Sequence, residues 1–461
     1  MTLLSRSLKE AIVTMLAALA TLGCALALAP AAGTAVLGVV LCLSLSRSQL
    51  DRDRRGRIEA AIALPLVSLA AFGVAMLLHE RPWWGATAFV LVISASIWLR
   101  RFGDAGRKAG RLIALPFVVL LITPHLPASP GGPLPAWLLT VVVALLALFW
   151  VGLLHALAQR LRFLPSVPPE PKLPAAPQTG GLRLIASSRM AIQMGLALAA
   201  GFAVGHLFFG PHWAWVVLTA FIVGSGNQGR LDVVHKSGLR VLGAAAGTVI
   251  ALAANGGLGG HDRGTVALIL LAVFLGLWLR PLGYAWWALF VTLALALLQG
   301  FEGLPAQEVL GLRLAEIVIG ALIGVAAAWF VLPVRSTDVL RRRIADALAA
   351  LAEAGDPAAT ERSAQPFLAQ LANVEKVAPA FRATRRLTRR WHPLQPADWV
   401  DTLAACQAPA CRMLAQGEAP GQVRKALAAA RKAMREPAEI GPALVALLQA
   451  LDAAAAVKPQ A

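Results

Sequence analysis

The sequence predicts an all-α, polytopic membrane protein built from two tandem six-helix repeats and a cytoplasmic helical tail. Three observations lead there. The 461 residues are 58% hydrophobic and only 14% charged, whereas soluble domains carry roughly 25% charged residues. Apolar runs of membrane-spanning length follow one another, and the arginines gather in alternate loops between them. A short motif near Ile97 recurs near Leu277.

A helix needs roughly 20 apolar residues to cross a hydrocarbon core about 30 Å thick. Runs bounded by charge, Gly or Pro lie at 8–29, 32–46, 58–78, 83–99, 109–124 and 136–157 in the first half. The second half supplies 186–209, 212–226, 238–254, 264–279, 282–300 and 310–332. Arg6 and Lys9 ahead of the first run imitate a secretory leader, but equally apolar runs follow, so it reads as a membrane helix. The short runs 32–46 and 212–226 read as tilted helices or tight re-entrant hairpins.

Arg47, Arg52, Arg54, Arg55 and Arg57 fill one loop, and Arg100, Arg101, Arg107, Lys108 and Arg111 the next but one. Arg160, Arg162, Lys172, Arg183 and Arg189 mark the segment between the halves; Arg230, Lys236 and Arg240 mark a later loop, and Arg335, Arg341, Arg342 and Arg343 follow the last run. The intervening loops hold almost no basic residues: Arg81 and Arg263 are isolated, and His125 to Pro135 carries no formal charge. Basic loops stay on the cytoplasmic side, so a multi-pass protein of the bacterial inner membrane with both termini cytoplasmic is expected.

Ile97-Trp98-Leu99-Arg100-Arg101-Phe102-Gly103 recurs as Leu277-Trp278-Leu279-Arg280-Pro281-Leu282-Gly283. Each half begins and ends on the same side, so the copies are parallel and related by an axis along the membrane normal. The domains expected are a first membrane half at 1–160, a proline-rich linker at 161–184, a second membrane half at 185–335 and a helical domain at 336–461. In the tail, helical periodicity runs through 338–354, 361–377, 398–416 and 421–434. Arg382, Arg385, Arg386, Arg389 and Arg390 form a basic cluster suited to anionic lipid headgroups.

The formal charge of +18 resides mostly in short loops, not on a basic stripe of a soluble fold, which excludes a nucleic-acid partner. The four cysteines, Cys24, Cys42, Cys406 and Cys411, have no companions at metal-ligand spacing, so neither a disulfide framework nor a metal site is expected. No Walker A, Gly-x-Ser-x-Gly or His-Glu-x-x-His pattern occurs, and neither a cofactor nor an enzymatic activity is expected.

The informative polar groups lie in the second half. Trp213-Ala214-Trp215-Val216-Val217-Leu218-Thr219-Ala220-Phe221-Ile222-Val223 opens a short span. Arg240-Val241-Leu242-Gly243-Ala244-Ala245-Ala246-Gly247 follows a basic loop, and Arg313-Leu314-Ala315-Glu316-Ile317-Val318-Ile319-Gly320-Ala321-Leu322-Ile323-Gly324 occupies the last span. On these residues the chain resembles the fusaric-acid-resistance-like (FUSC) family of the aromatic acid exporter superfamily. The resemblance covers 185–335, and 1–160 only through the repeat. It implies an inner-membrane protein that exports aromatic carboxylates, with a periplasmic adaptor protein as a partner. The longer exporters of that group carry a large soluble insertion between their halves, where this chain has only the proline linker.

Each candidate residue has two readings. Arg313 and Glu316, three apart on one helix face, form an i, i+3 ion pair at the interface, or face a cavity where Arg313 holds a substrate carboxylate and Glu316 takes up a coupling proton. Arg240 either snorkels to the cytoplasmic end or contacts the anion. Trp213 and Trp215 are interfacial anchors or part of the substrate site; Tyr284, with Trp286 and Trp287, is an aromatic belt or a stacking surface. His206 is a proton relay or a hydrogen-bonded interfacial histidine. Gln193, Glu59 and His155 are further polar groups in apolar runs, and Gly243 and Gly247 would let helices approach closely.

The function expected is a secondary transporter exporting small organic anions, coupled to the proton gradient. Two alternatives stay open. One is a passive anion channel, whose pore would present rings of Arg or Lys and so require a homo-oligomer. The other is a membrane scaffold whose basic tail binds lipid or a partner.

Overall fold

The computed structural model describes residues 3–30, 32–48, 54–122, 134–164, 186–255, 263–301, 306–357, 363–391, 395–417 and 419–456. Most of the proline linker, most of the His125–Pro135 loop, and Arg52, Lys172 and Arg183 lie outside the described residues. Each expected run is a helix: α1 (Leu3–Leu28), α2 (Ala32–Ser48), α3 (Arg54–Glu80), α4 (Pro82–Trp98), α5 (Gly103–Ile122), α6 (Ala136–Arg160), α7 (Ala186–Phe208), α8 (Trp213–Gly224), α9 (Arg230–Asn255), α10 (Arg263–Leu279), α11 (Tyr284–Phe301) and α12 (Ala306–Phe330).

Among the described residues, nine helices are long and apolar enough to cross a membrane by length and composition. Eight of these are α1, α3, α4, α6, α7, α9, α10 and α12; α2, α8 and α11 are shorter apolar helices. The chain is an all-α, multi-pass membrane protein. With 12 residues, α8 rises only about 18 Å, less than the thickness of a hydrocarbon core. Nine of its residues are buried, so the neighbouring helices take the place of lipid along most of it.

The two halves pack in corresponding ways. In the first, α1, α2 and α6 contact one another, as α7, α8 and α12 do in the second. Helix α4 and the turn after it lie on α7, while α10 and its turn lie on α1. The repeated motif also adopts one local shape twice. Trp98 and Leu279 lead into short 3-10 turns, Leu99–Phe102 and Arg280–Leu282, which end at Gly103 (φ 77°) and Gly283 (φ 152°). Only glycine enters that region without steric cost, so each copy needs one where the next helix begins.

Packing in the first half rests on small residues. Ala17, Ala18 and Ala25 of α1, Leu41 and Cys42 of α2, and Ala144 and Ala147 of α6 are buried together. A second cluster joins the halves, with Phe89 and Ile93 of α4 and Phe117 of α5 against Leu198 and Phe202 of α7 and Trp213 and Trp215 of α8.

The contacts separate a second compact unit, which contains the tail and residues 226–235. Its helices are α13 (Ser336–Ala354), α14 (Gln365–Glu375), α15 (Ala378–Thr388), α16 (Pro396–Ala405), α17 (Gln407–Gln416), α18 (Gly421–Ala433) and α19 (Pro437–Ala456). The periodic run expected at 398–416 breaks at Cys406 into α16 and α17. Pro409, in the first turn of α17, has no N–H to donate to Ala405. Helices α15 and α19 were not anticipated. The latter is the ninth helix of membrane-spanning length, yet it buries Ile440, Leu444, Leu447 and Leu451 in the core of the tail. Within this unit the Arg230 N–H donates to the Val334 carbonyl (3.1 Å), and the Leu231 N–H to Ser336 Oγ (2.9 Å).

The basic cluster of the tail is smaller than expected. Arg382 donates to Glu375 and Asp401, and Arg385 pairs with Asp398 and Asp401. These two arginines therefore hold α15 to α14 and α16. Arg386, Arg389 and Arg390 remain exposed.

Candidate functional site

Two stripes of small residues grip α8. A Cβ on Gly205 of α7 would lie 2.9 Å from Trp213 Cβ, and one on Gly320 of α12 would lie 2.5 Å from the Val216 carbonyl oxygen. Gly201 and Gly324 continue the stripes one turn further on, against Val217 and Val223. Likewise Gly243 and Gly247 of α9 meet the α11 backbone at Ala285 and Leu289, which is the close approach expected of that pair. Where hydrophobic burial drives nothing together, such backbone contact is the main source of helix association.

With 100° per residue, Trp213 and Trp215 point to opposite sides of α8. Trp213 stacks on Phe202 of α7, with ring centroids 5.1 Å apart, and tilts against His206 at 5.0 Å. Trp215 turns toward α12, where the Arg313 guanidinium carbon sits 3.6 Å from the centroid of its ring. Both tryptophans are buried, so neither anchors at a lipid interface in this chain. Over a tryptophan face a guanidinium gains cation–π attraction, worth about 2 kcal/mol or more when water is excluded.

Arg313, Glu316 and Arg240 are 2%, 1% and 1% exposed. The charged groups acting on Arg313 are Arg240 of α9 and Glu316, one turn along its own helix. Arg240 and Glu316, both singled out in the sequence, thus lie within electrostatic range of Arg313, which packs on Trp215 of α8. Arg240 lies ten residues into α9, roughly 15 Å from its start, and is buried where a snorkelling side chain would be exposed. Glu316 Oε1 is buried with no hydrogen-bond partner among the described residues, and so is Arg240 Nε.

Thr219 was not a sequence candidate. It lies one turn beyond Trp215 on the same face of α8, fully buried and opposite Gly320. Its hydroxyl has no partner among the described residues. The i, i+4 spacing from Trp215 was the available signal.

The other candidates go elsewhere. His206 is surrounded by the rings of Trp83, Phe202 and Trp213. Tyr284 starts α11 near Arg280, with its hydroxyl buried. Trp286 is half-exposed. Gln193 of α7 donates to the Val331 and Leu332 carbonyls (2.7 and 3.1 Å), closing the C-terminal end of α12. His155 Nδ1 lies 2.9 Å from the Val151 carbonyl, and Glu59 is exposed.

Among the described residues, no group of three or more His, Cys, Asp or Glu side chains could hold a metal ion. No curated protein matches the chain. A family model does match, beginning in α7 and ending in α12, so that it takes in His206, Trp213, Trp215, Arg240, Tyr284, Arg313 and Glu316. That match is to the family described as fusaric acid resistance protein-like, over residues 196–327, which this segment of the chain resembles.

Proposed function

We propose that the protein is a secondary transporter that exports small organic anions, such as aromatic carboxylates, across the bacterial inner membrane, coupled to the proton gradient. One observation carries this reading: the buried Arg313 lies over a tryptophan face and within electrostatic range of a second buried guanidinium and a buried carboxylate. With all three ionised, the trio itself carries one net positive charge, and a charge within the bilayer costs about 2.5–3.5 kcal/mol on insertion scales. A substrate carboxylate brings a negative charge to it, with Arg313 offering the planar fork that suits it.

Glu316 provides the coupling. With the carboxyl protonated, both arginines are available to the anion; with it ionised, it competes for Arg313. Substrate binding and proton uptake then favour one another, which couples the two.

The test is flux of benzoate-type anions into inverted proteoliposomes, with and without a pH gradient. Wild type should accumulate the anion only with the gradient. Glu316→Gln should allow slow flux that ignores the gradient, and Arg313→Gln should abolish flux. Anion flux in neither condition, with correctly inserted protein, would end the proposal. Gradient-independent conductance in the wild type would replace the coupled transporter with a channel.

A further inference from the structure

The end of α15 leaves a compact patch in which apolar and basic side chains are both turned outward. Leu387 and Trp391, four residues apart, are 74% and 75% exposed. Arg386, Arg389 and Arg390 surround them and are exposed as well. The contrast with their neighbours is sharp. Arg382 and Arg385, on the inner side of the same helix, are engaged by Glu375, Asp398 and Asp401, whereas among the described residues no carboxylate pairs with the outer three.

An exposed leucine alone would mean little. A tryptophan and a leucine on one face, ringed by three arginines, have the chemistry of a surface helix lying in a phospholipid interface. There the ring and the aliphatic chain enter the headgroup layer and the guanidinium groups meet phosphates. The tail is tied to the last membrane helix through residues 331–335, so a bilayer surface is always present at high local concentration.

We infer that Arg386, Leu387, Arg389, Arg390 and Trp391 form a docking patch for an anionic bilayer surface, holding the tail against the membrane that carries it. The charges select anionic over neutral lipid, and Leu387 and Trp391 supply the apolar insertion. Each arginine near an anionic surface strengthens the contact roughly fivefold at low salt.

The test uses the full chain in nanodiscs, one set of phosphatidylcholine alone and one with a third phosphatidylglycerol. Chymotrypsin cleavage at Leu387 and Trp391 is measured relative to cleavage elsewhere in the tail. In anionic discs it should slow at least about tenfold and recover at high salt; in neutral discs it should be fast. Arg386→Gln/Arg389→Gln/Arg390→Gln keeps both cleavage sites and should be cut rapidly in both lipids, while an unchanged far-ultraviolet spectrum reports an intact fold. Equal cleavage of the wild type in the two lipids would overturn the inference, as would protection that survives the triple substitution. Protection already present in detergent would assign the patch to a protein contact and equally overturn it.

Discussion

Gly320→Ala tests whether backbone contact between α8 and α12 holds the site together. The added methyl would lie 2.5 Å from the Val216 carbonyl oxygen and 2.9 Å from Thr219 Cβ. Neither can swing aside as a flexible side chain would. Ordinary van der Waals separation for such pairs is about 3.5 Å, so the helices must part by several tenths of an ångström to 1 Å. Overpacking of this kind costs about 1–3 kcal/mol. The same shift withdraws Trp215 from Arg313. Gly152→Ala in α6 is the control, because no heavy atom lies within 4 Å of its added methyl. There, relief of glycine's backbone entropy should stabilise by about 0.5–1 kcal/mol. Thermal unfolding of the two variants in one detergent should therefore move in opposite directions, and anion binding should weaken in Gly320→Ala alone. If Gly320→Ala were as stable as Gly152→Ala, the close packing of α8 on α12 would not be what builds the site.

Further expectations concern single groups. Arg313→Lys keeps the charge but loses the flat stack on Trp215, and anion affinity measured by calorimetry should fall about tenfold; unchanged affinity would remove the fork from the argument. In the tail, burial opposes ionisation of Asp401, but hydrogen bonds from Arg385 and Arg382 outweigh it and hold the carboxyl below its ordinary value of 3.8. A lowered folded value stabilises above the unfolded value and is lost as pH falls through the folded one. Asp401→Asn should flatten the loss of tail stability below about pH 4, by no more than about 1 kcal/mol for so exposed a cluster. Burial, aided by the field of Asp452, pushes the Cys406 thiol up to about 12. Maleimide at pH 8 should label the half-buried Cys411 in native protein and reach Cys406 only after denaturation; native labelling of Cys406 would show that α16 and α17 open readily.

The membrane helices were legible because bilayer thickness dictates one simple pattern, and every expected run became a helix within a few residues. The tail was read less well. Its core needs only a leucine or alanine every turn, and Ile440, Leu444, Leu447 and Leu451 of α19 follow that period inside a run rich in alanine, which blurs it. In the site, Arg313, Glu316 and Arg240 stood out as charges that a bilayer interior does not tolerate idly. Thr219 did not, because a helix hides a threonine at little cost and only its spacing of four from Trp215 hinted at the face they share.

By itself, then, the sequence determined the all-helical, multi-pass architecture and the residues worth watching, because hydropathy and charge act locally and leave their period in the chain. The tertiary structure alone decided which of those residues meet. Glycines on α7 and α12 let α8 sit so close to both that Trp213 turns to one and Trp215 to the other. Arg240 of α9 and Arg313 of α12, 73 positions apart in the chain, then come within electrostatic range of one another, and Arg382 and Arg385 go to carboxylates while their neighbours stay in the open. Such choices depend on distances across helices, which no local pattern encodes.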